Sequence, residues 1–203
     1  MKIDFPKWVD RFRDQWENRP IKYLDNSGEW CEDEDPHFSS ISNAIQSRGS
    51  ISVEELRRIS RWKLQGGRND ANIEQNDSAD VEHQTRAAFQ AAADVEAVNI
   101  LTELSGVGVP LASTVLTVAD PDTYAIIDYR AFRGLAAAKP EIVDPRTNGY
   151  GAYAEFLECF RNYLTKADAY EYYMTHVREI AEEEELSTRE IDMALWAFDK
   201  EMA

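Results

Sequence analysis

The sequence predicts an all-α protein, on three observations. Apolar residues recur at helical spacing, as in Trp8, Phe12 and Trp16 at i, i+4 and i+8. Two capping boxes, Ser52-Val-Glu-Glu55 and Ser187-Thr-Arg-Glu190, mark helix starts. No run alternates apolar and polar residues in a way that reads as a strand, no segment repeats, and low complexity is confined to the glutamate run 182–185.

The elements follow in chain order. Residues 7–16 form a helix whose aromatic stripe is read as core rather than as a base-stacking face. Asp25-Asn26-Ser27-Gly28 is a turn, and residues 32–36 read as an exposed acidic loop. Ser52 opens a helix that runs to about Leu64 and stops at Gly66-Gly67, and residues 69–80 are polar and loop-like. Residues 81–104 are alanine-rich and free of Gly and Pro, so one long helix or two abutting ones are expected. Gly106-Val107-Gly108 breaks that run, and Pro110 suits the first turn of the next helix, 110–119. After Asp120-Pro121-Asp122 a short connection leads to Asp128, and residues 129–138 are helical again. Residues 140–150 read as a loop, and residues 153–164 as an amphipathic helix with Phe156, Leu157, Phe160 and Leu164 on one side. Residues 170–185 continue helical, and Ser187 starts a final helix with Ile191, Ala194, Leu195 and Phe198 facing inward. Residues 1–50 are thus an acidic, aromatic segment packed on a helical domain of residues 51–203.

At 203 residues and 43% hydrophobic content, the chain can bury the core of one substantial domain or two small lobes. Met1-Lys2-Ile3-Asp4-Phe5-Pro6 does not read as a signal peptide, and no stretch approaches a membrane span, so a cytoplasmic protein with no membrane partner is expected. Cys31 and Cys159 lack metal-ligand spacing and read as plain thiols, and His37, His83 and His176 are scattered, so no metal site is expected. The net charge of −16, with seven lysines against fifteen arginines, weighs against a broad nucleic-acid surface and suits either high-salt adaptation or high solubility. Residues 56–69 are a local exception, with Arg57, Arg58, Arg61, Lys63 and Arg68 and no acid.

The chemistry concentrates at Leu104-Ser-Gly-Val-Gly108 and at Asp128, which follows Gly106 by 128 − 106 = 22 positions. Two glycines around Val107 permit conformations closed to other residues and a close approach by another backbone. The N–H groups at the start of the next helix would suit a phosphate, although an ordinary glycine-containing turn between helices would look the same. Asp128 is well placed to cap the helix that begins at Tyr129, and a capping carboxylate can also be a catalytic one.

Leu104-Ser-Gly-Val-Gly-Val-Pro-Leu-Ala112, an apolar helix, and then Ile127-Asp128-Tyr-Arg130 resembles the helix–hairpin–helix DNA glycosylase superfamily, the endonuclease III and alkyladenine glycosylase group. The close resemblance covers roughly residues 95–136, with the hairpin at 104–108 and the catalytic region at 120–136. It implies a two-lobed helical fold, DNA as partner, a monomer, a backbone grip by Gly106, Val107 and Gly108, and Asp128 as the catalytic carboxylate. Asp128 would stabilise the positive charge developing on the sugar as the N-glycosidic bond of an extruded base breaks. Bifunctional members of the family carry a lysine where this chain has Pro110, which implies a monofunctional hydrolase. Members with an iron–sulfur cluster need four cysteines near the C-terminus, so none is expected here; a monovalent cation at the hairpin is the one cofactor left open. Tyr129 and Arg130 replace the threonine and histidine that often follow the aspartate.

The resemblance extends to the basic helix, which in the family faces the base pocket. Trp62 would stack on the flipped base together with Tyr129, while Arg61, Lys63, Arg68 and Arg130 would contact DNA. Alternatively Trp62 is core and the arginines a solvated face, and Lys63 could supply a displaced lyase amine. The expected activity is removal of a damaged base, or of a modified base in foreign DNA. The rivals are a non-catalytic helix–hairpin–helix module binding DNA or a protein, and an acidic helical scaffold unrelated to DNA.

Overall fold

Asp4 starts the first helix of the computed structural model, its carboxylate accepting the Lys7 N–H at 3.3 Å. The structure describes residues 3–17, 19–25, 27–33, 35, 38–64 and 66–202; His37 lies outside them. Helix α1 (Phe5–Phe12) runs into a π-helical turn, Arg13–Glu17. Two short strands follow, β1 (Ile21–Leu24) and β2 (Trp30–Asp33), paired antiparallel with Ile21 opposite Asp33 and Leu24 opposite Trp30. The remaining helices are α2 (Ser39–Arg48), α3 (Val53–Leu64), α4 (Asp70–Ile73), α5 (Ser78–Phe89), α6 (Asp94–Thr102), α7 (Val109–Ala119), α8 (Tyr129–Ala138), α9 (Pro145–Asn162), α10 (Ala167–Glu184) and α11 (Thr188–Met202). The chain is mostly helical, at 70% helix, in keeping with the all-α expectation.

The strand pair corrects the reading of this region as strand-free, and β2 takes up the first part of the expected acidic loop. Its stability comes from ties that no alternation pattern records. Asp25 organises the connecting turn by accepting from the N–H groups of Ser27 and Glu29 at 2.8 and 2.9 Å. Arg58, on α3, holds Asp33 with an Nη2–Oδ1 distance of 2.9 Å. The run 81–104 resolves into two helices, because Ala93 is extended and Arg178 on α10 grips Asp94 at 2.6 and 3.0 Å. The expected loop at 140–150 instead holds a 3-10 turn (Pro140–Val143) and the start of α9, whose helical geometry is interrupted at Gly149. On α9, Phe156 is buried, whereas Leu157 and Leu164, assigned to the same apolar side, are exposed.

Helix α7 is the centre of the fold. Every residue from Val109 to Thr117 except Pro110 is buried, as expected of a helix that is apolar all round. Helices α2, α3, α5, α6 and α10 pack around it. A second layer forms where α11 lies between α1 and α8, with Trp8 edge-on to Phe198 at 5.5 Å. Gly134 sets the approach of α8 to α11, since a β-carbon there would overlap the Leu195 backbone. Buried apolar residues from Ile3 to Phe198 make one contiguous core. Among the described residues no helix is long and apolar enough to cross a membrane.

Candidate active site

Asp128 stands at the end of an extended segment that is tied down residue by residue. The Tyr170 hydroxyl donates to the Ala125 carbonyl at 3.0 Å, the Ile126 N–H donates to Asp192 at 2.7 Å, and the Ile127 N–H donates to the Ser113 hydroxyl at 3.2 Å. Asp128 then caps α8, one oxygen accepting the Ala131 N–H at 2.9 Å. Its other oxygen lies 3.1 Å from Nζ of Lys63, whose side chain is only 9% exposed. One oxygen therefore fixes the carboxylate and the other faces a buried ammonium.

Asp128 lines a cavity of about 810 Å³, within the ordinary size range of small-ligand sites. Its walls are aromatic: Phe12 and Trp16 from the N-terminal helical segment, Trp30 from β2, Trp62 from α3 and Trp196 from α11. Phe12, Trp16 and Trp196 pack edge-on or tilted with centroids 5.1 to 6.0 Å apart, and Trp62 is edge-on to Phe38 at 5.9 Å. The stripe assigned to the core thus has a second face, turned toward the cavity. The charges on the wall are also uneven. Among the described residues, Arg19, Lys22, Arg61, Lys63 and Arg189 line it against Asp128 and Asp192, the reverse of the chain's overall balance.

Asp192 is the functional-site residue that sequence reasoning missed. Fully buried, it accepts the Ile126 N–H and pairs with Arg189, whose guanidinium stacks over Phe12 and Trp62 at 5.3 and 5.8 Å. Burial pushes its carboxyl up to about 6, with Arg189, the Ile126 N–H and Lys63 opposing and Asp128 adding to the rise. Its pairing with Arg189 is an ordinary i,i+3 contact on a helix, and what marks it out, the Ile126 N–H, lies 66 residues away.

Several expected DNA contacts are otherwise engaged. Arg61 is 6% exposed and bonds Asp70 at 2.7 and 2.8 Å with its guanidinium 3.8 Å from the Tyr23 ring centre, so it braces the fold. Arg57 is spent on Glu54, Asp70 and Glu74, and Arg58 on Asp33 and Asp35. The acid-free stretch 56–69 is therefore neutralised by acids brought from elsewhere, and the basic face expected there is largely absent. Arg68 is exposed but lies outside the cavity lining. Arg130 bonds Asp199 at 3.1 Å. Tyr129, expected in the base pocket, is 49% exposed and packs on Phe160 at 5.7 Å, away from the cavity lining; the first position of α8 turns it outward.

The hairpin is built as its sequence requires. Gly106 has φ of +80°, and a β-carbon there would come within 2.8 Å of Asn72 Cβ. Asn76 brackets Ser105, accepting its N–H at 2.7 Å and donating to its carbonyl at 3.0 Å, and Asn69 donates to the Gly106 carbonyl at 3.0 Å. Val107 is buried. The helix end behind it is less open than expected, because the Val109 N–H donates to the Leu164 carbonyl at 3.3 Å. Gly108, exposed at the cap, remains accessible to a ligand.

His83 is exposed and His176 pairs with Glu179 at 3.1 Å, both outside the cavity. No protein-family model, no curated protein and no solved structure matches this chain.

Proposed function

We propose that this protein is a monofunctional DNA glycosylase that takes an extruded, damaged or modified base into the aromatic cavity and hydrolyses its N-glycosidic bond. The observation that carries the reading is the fixed carboxylate of Asp128 on the wall of a cavity with stacking surfaces. Aromatic faces favour a flat heterocycle, and a carboxylate held by its neighbours needs no reorganisation as positive charge develops at the sugar C1′. The base leaves with the bonding pair, water adds its oxygen to C1′, and the proton that water loses is taken up by the departing base. The ammonium of Lys63, 3.1 Å from Asp128, is the carboxylate's counter-ion in the free protein.

The same pairing supports a second reading, in which Asp128 takes a proton from Lys63 and the amine so released attacks C1′, displaces the base and, as the sugar ring opens, forms an imine. Loss of the 2′ proton then breaks the 3′ C–O bond of the strand.

The experiment is incubation of duplex and single-stranded oligonucleotides carrying alkylated, deaminated, oxidised and hypermodified bases, with alkali to reveal abasic sites. Asp128→Asn is run alongside, since asparagine caps a helix as well as aspartate does. Abasic sites made by the wild type and lost in the variant support the glycosylase. Strand breaks without alkali, with borohydride trapping lost in Lys63→Gln, support the lyase reading. No abasic site on any substrate, with the variant folded and indistinguishable, transfers the reading to a non-catalytic binding module.

A further inference from the structure

The strand pair β1–β2 adds Ile21 to the core and also forms part of the cavity wall, through Ile21, Lys22 and Trp30. Trp30 on β2 lines the cavity and is 68% exposed, far more than any other large aromatic residue at the site. An exposed indole face on the lining of a cavity is a surface on which a base can stack. The ring is carried on a braced element: Asp25 orders the turn, Arg58 holds Asp33, Tyr23 lies under Arg61, and the Gly66 N–H donates to the Lys22 carbonyl at 3.3 Å. Two cations, Arg19 and Lys22, line the same cavity as Trp30. Arg19 is exposed on the lining with no carboxylate partner among the described residues. Among the described residues Lys22 pairs only with Glu32, and both are more than half exposed, so water screens the pair and an incoming anion can exchange for it.

We propose that residues 19–33 are the strand-gripping element of the site. Trp30 stacks on a base neighbouring the extruded nucleotide, and Arg19 and Lys22 neutralise the phosphates beside it. The occupant is DNA because a stacking surface, Arg19 without a carboxylate partner among the described residues and Lys22 in an exposed, exchangeable pair line one cavity with room for one base, in a chain whose net charge otherwise repels phosphate. This rests on the glycosylase reading and adds the place where the DNA strand runs, which is the cavity mouth rather than the outer face of α3.

The test measures binding to a duplex with a tetrahydrofuran abasic analogue, which needs no knowledge of the base. Wild type, Trp30→Ala, Trp30→Phe and Arg19→Gln/Lys22→Gln are compared over a range of salt, with excision by wild type and Asp128→Asn measured in parallel. Trp30→Ala is expected to weaken binding roughly tenfold or more while Trp30→Phe stays within about threefold of wild type. The double variant is expected to flatten the dependence of log affinity on log salt by nearly one per lost phosphate contact, about two in all. Trp30 is on the surface, so unchanged unfolding midpoints will show that the variants are folded. Wild-type affinity and salt slope in all three variants, with excision intact and Asp128-dependent, overturn this inference and leave the glycosylase standing. A wild type that neither binds the analogue nor excises any base overturns both.

Discussion

Gly134→Ala sets two physical effects against each other. Within a helix, alanine is favoured over glycine by about 1 kcal/mol, so propensity alone predicts a more stable protein. Packing predicts the reverse. A β-carbon at position 134 would lie 2.8 Å from the carbonyl carbon and 2.9 Å from Cα of Leu195, and closer still to its oxygen. These are backbone atoms of α11, so no side-chain rotation relieves the overlap and the two helices have to separate. Overpacking costs about 1–3 kcal/mol, and contact with backbone puts this site at the upper end. The net loss is therefore about 2 kcal/mol. In a chain of this length that lowers the melting midpoint by about 4–8 °C. Thermal and urea unfolding followed by circular dichroism measure it directly. A midpoint equal to or above that of the wild type would refute the close approach of α8 and α11.

Two further outcomes follow from the same kind of reasoning. Burial raises Asp192 to about 6, so the folded protein binds its proton more tightly than the unfolded chain does, and its contribution to stability is present at low pH and lost as pH rises through about 6. Urea unfolding from about pH 4 to pH 7 should show the wild type losing up to about 3 kcal/mol relative to Asp192→Asn; parallel pH curves would contradict the burial. Asn76→Ala strips both backbone partners from Ser105 and is expected to cost about 1–3 kcal/mol in urea unfolding. An unchanged midpoint would mean that the hairpin does not depend on that bracket.

What the sequence made legible was local. Ser52 and Glu55 do exchange hydrogen bonds as a capping box, as do Ser187 and Glu190, because both partners lie within one turn. Gly106 is required where it was singled out, and Asp128 caps α8 as its position suggested. What was not legible depends on distant residues. The charges at 56–69 look unopposed within that window, yet Glu54 and Asp70 at its two edges and the distant Asp33 neutralise them, and only the fold brings Asp33 near and turns Asp70 back on Arg57 and Arg61. β1 and β2 were missed because they are four residues each, carry charge, and are stabilised by their turn and by α3. Trp16 and Trp196 were indistinguishable from core because each serves both purposes, packing on its neighbours with one face and lining the cavity with the other.

The ties on residues 125–128 also govern when the site can exist. Tyr170 lies 45 residues beyond Ala125, and Asp192 lies 66 beyond Ile126. A chain emerging from the ribosome therefore presents Asp128 long before the helices that aim it have been made. Early helices can form and pack, but the carboxylate stays unaligned until α11 docks between α1 and α8. Completion of the fold and completion of the candidate site are then one event, and a half-made chain carries the Asp128 carboxylate without the means to direct it.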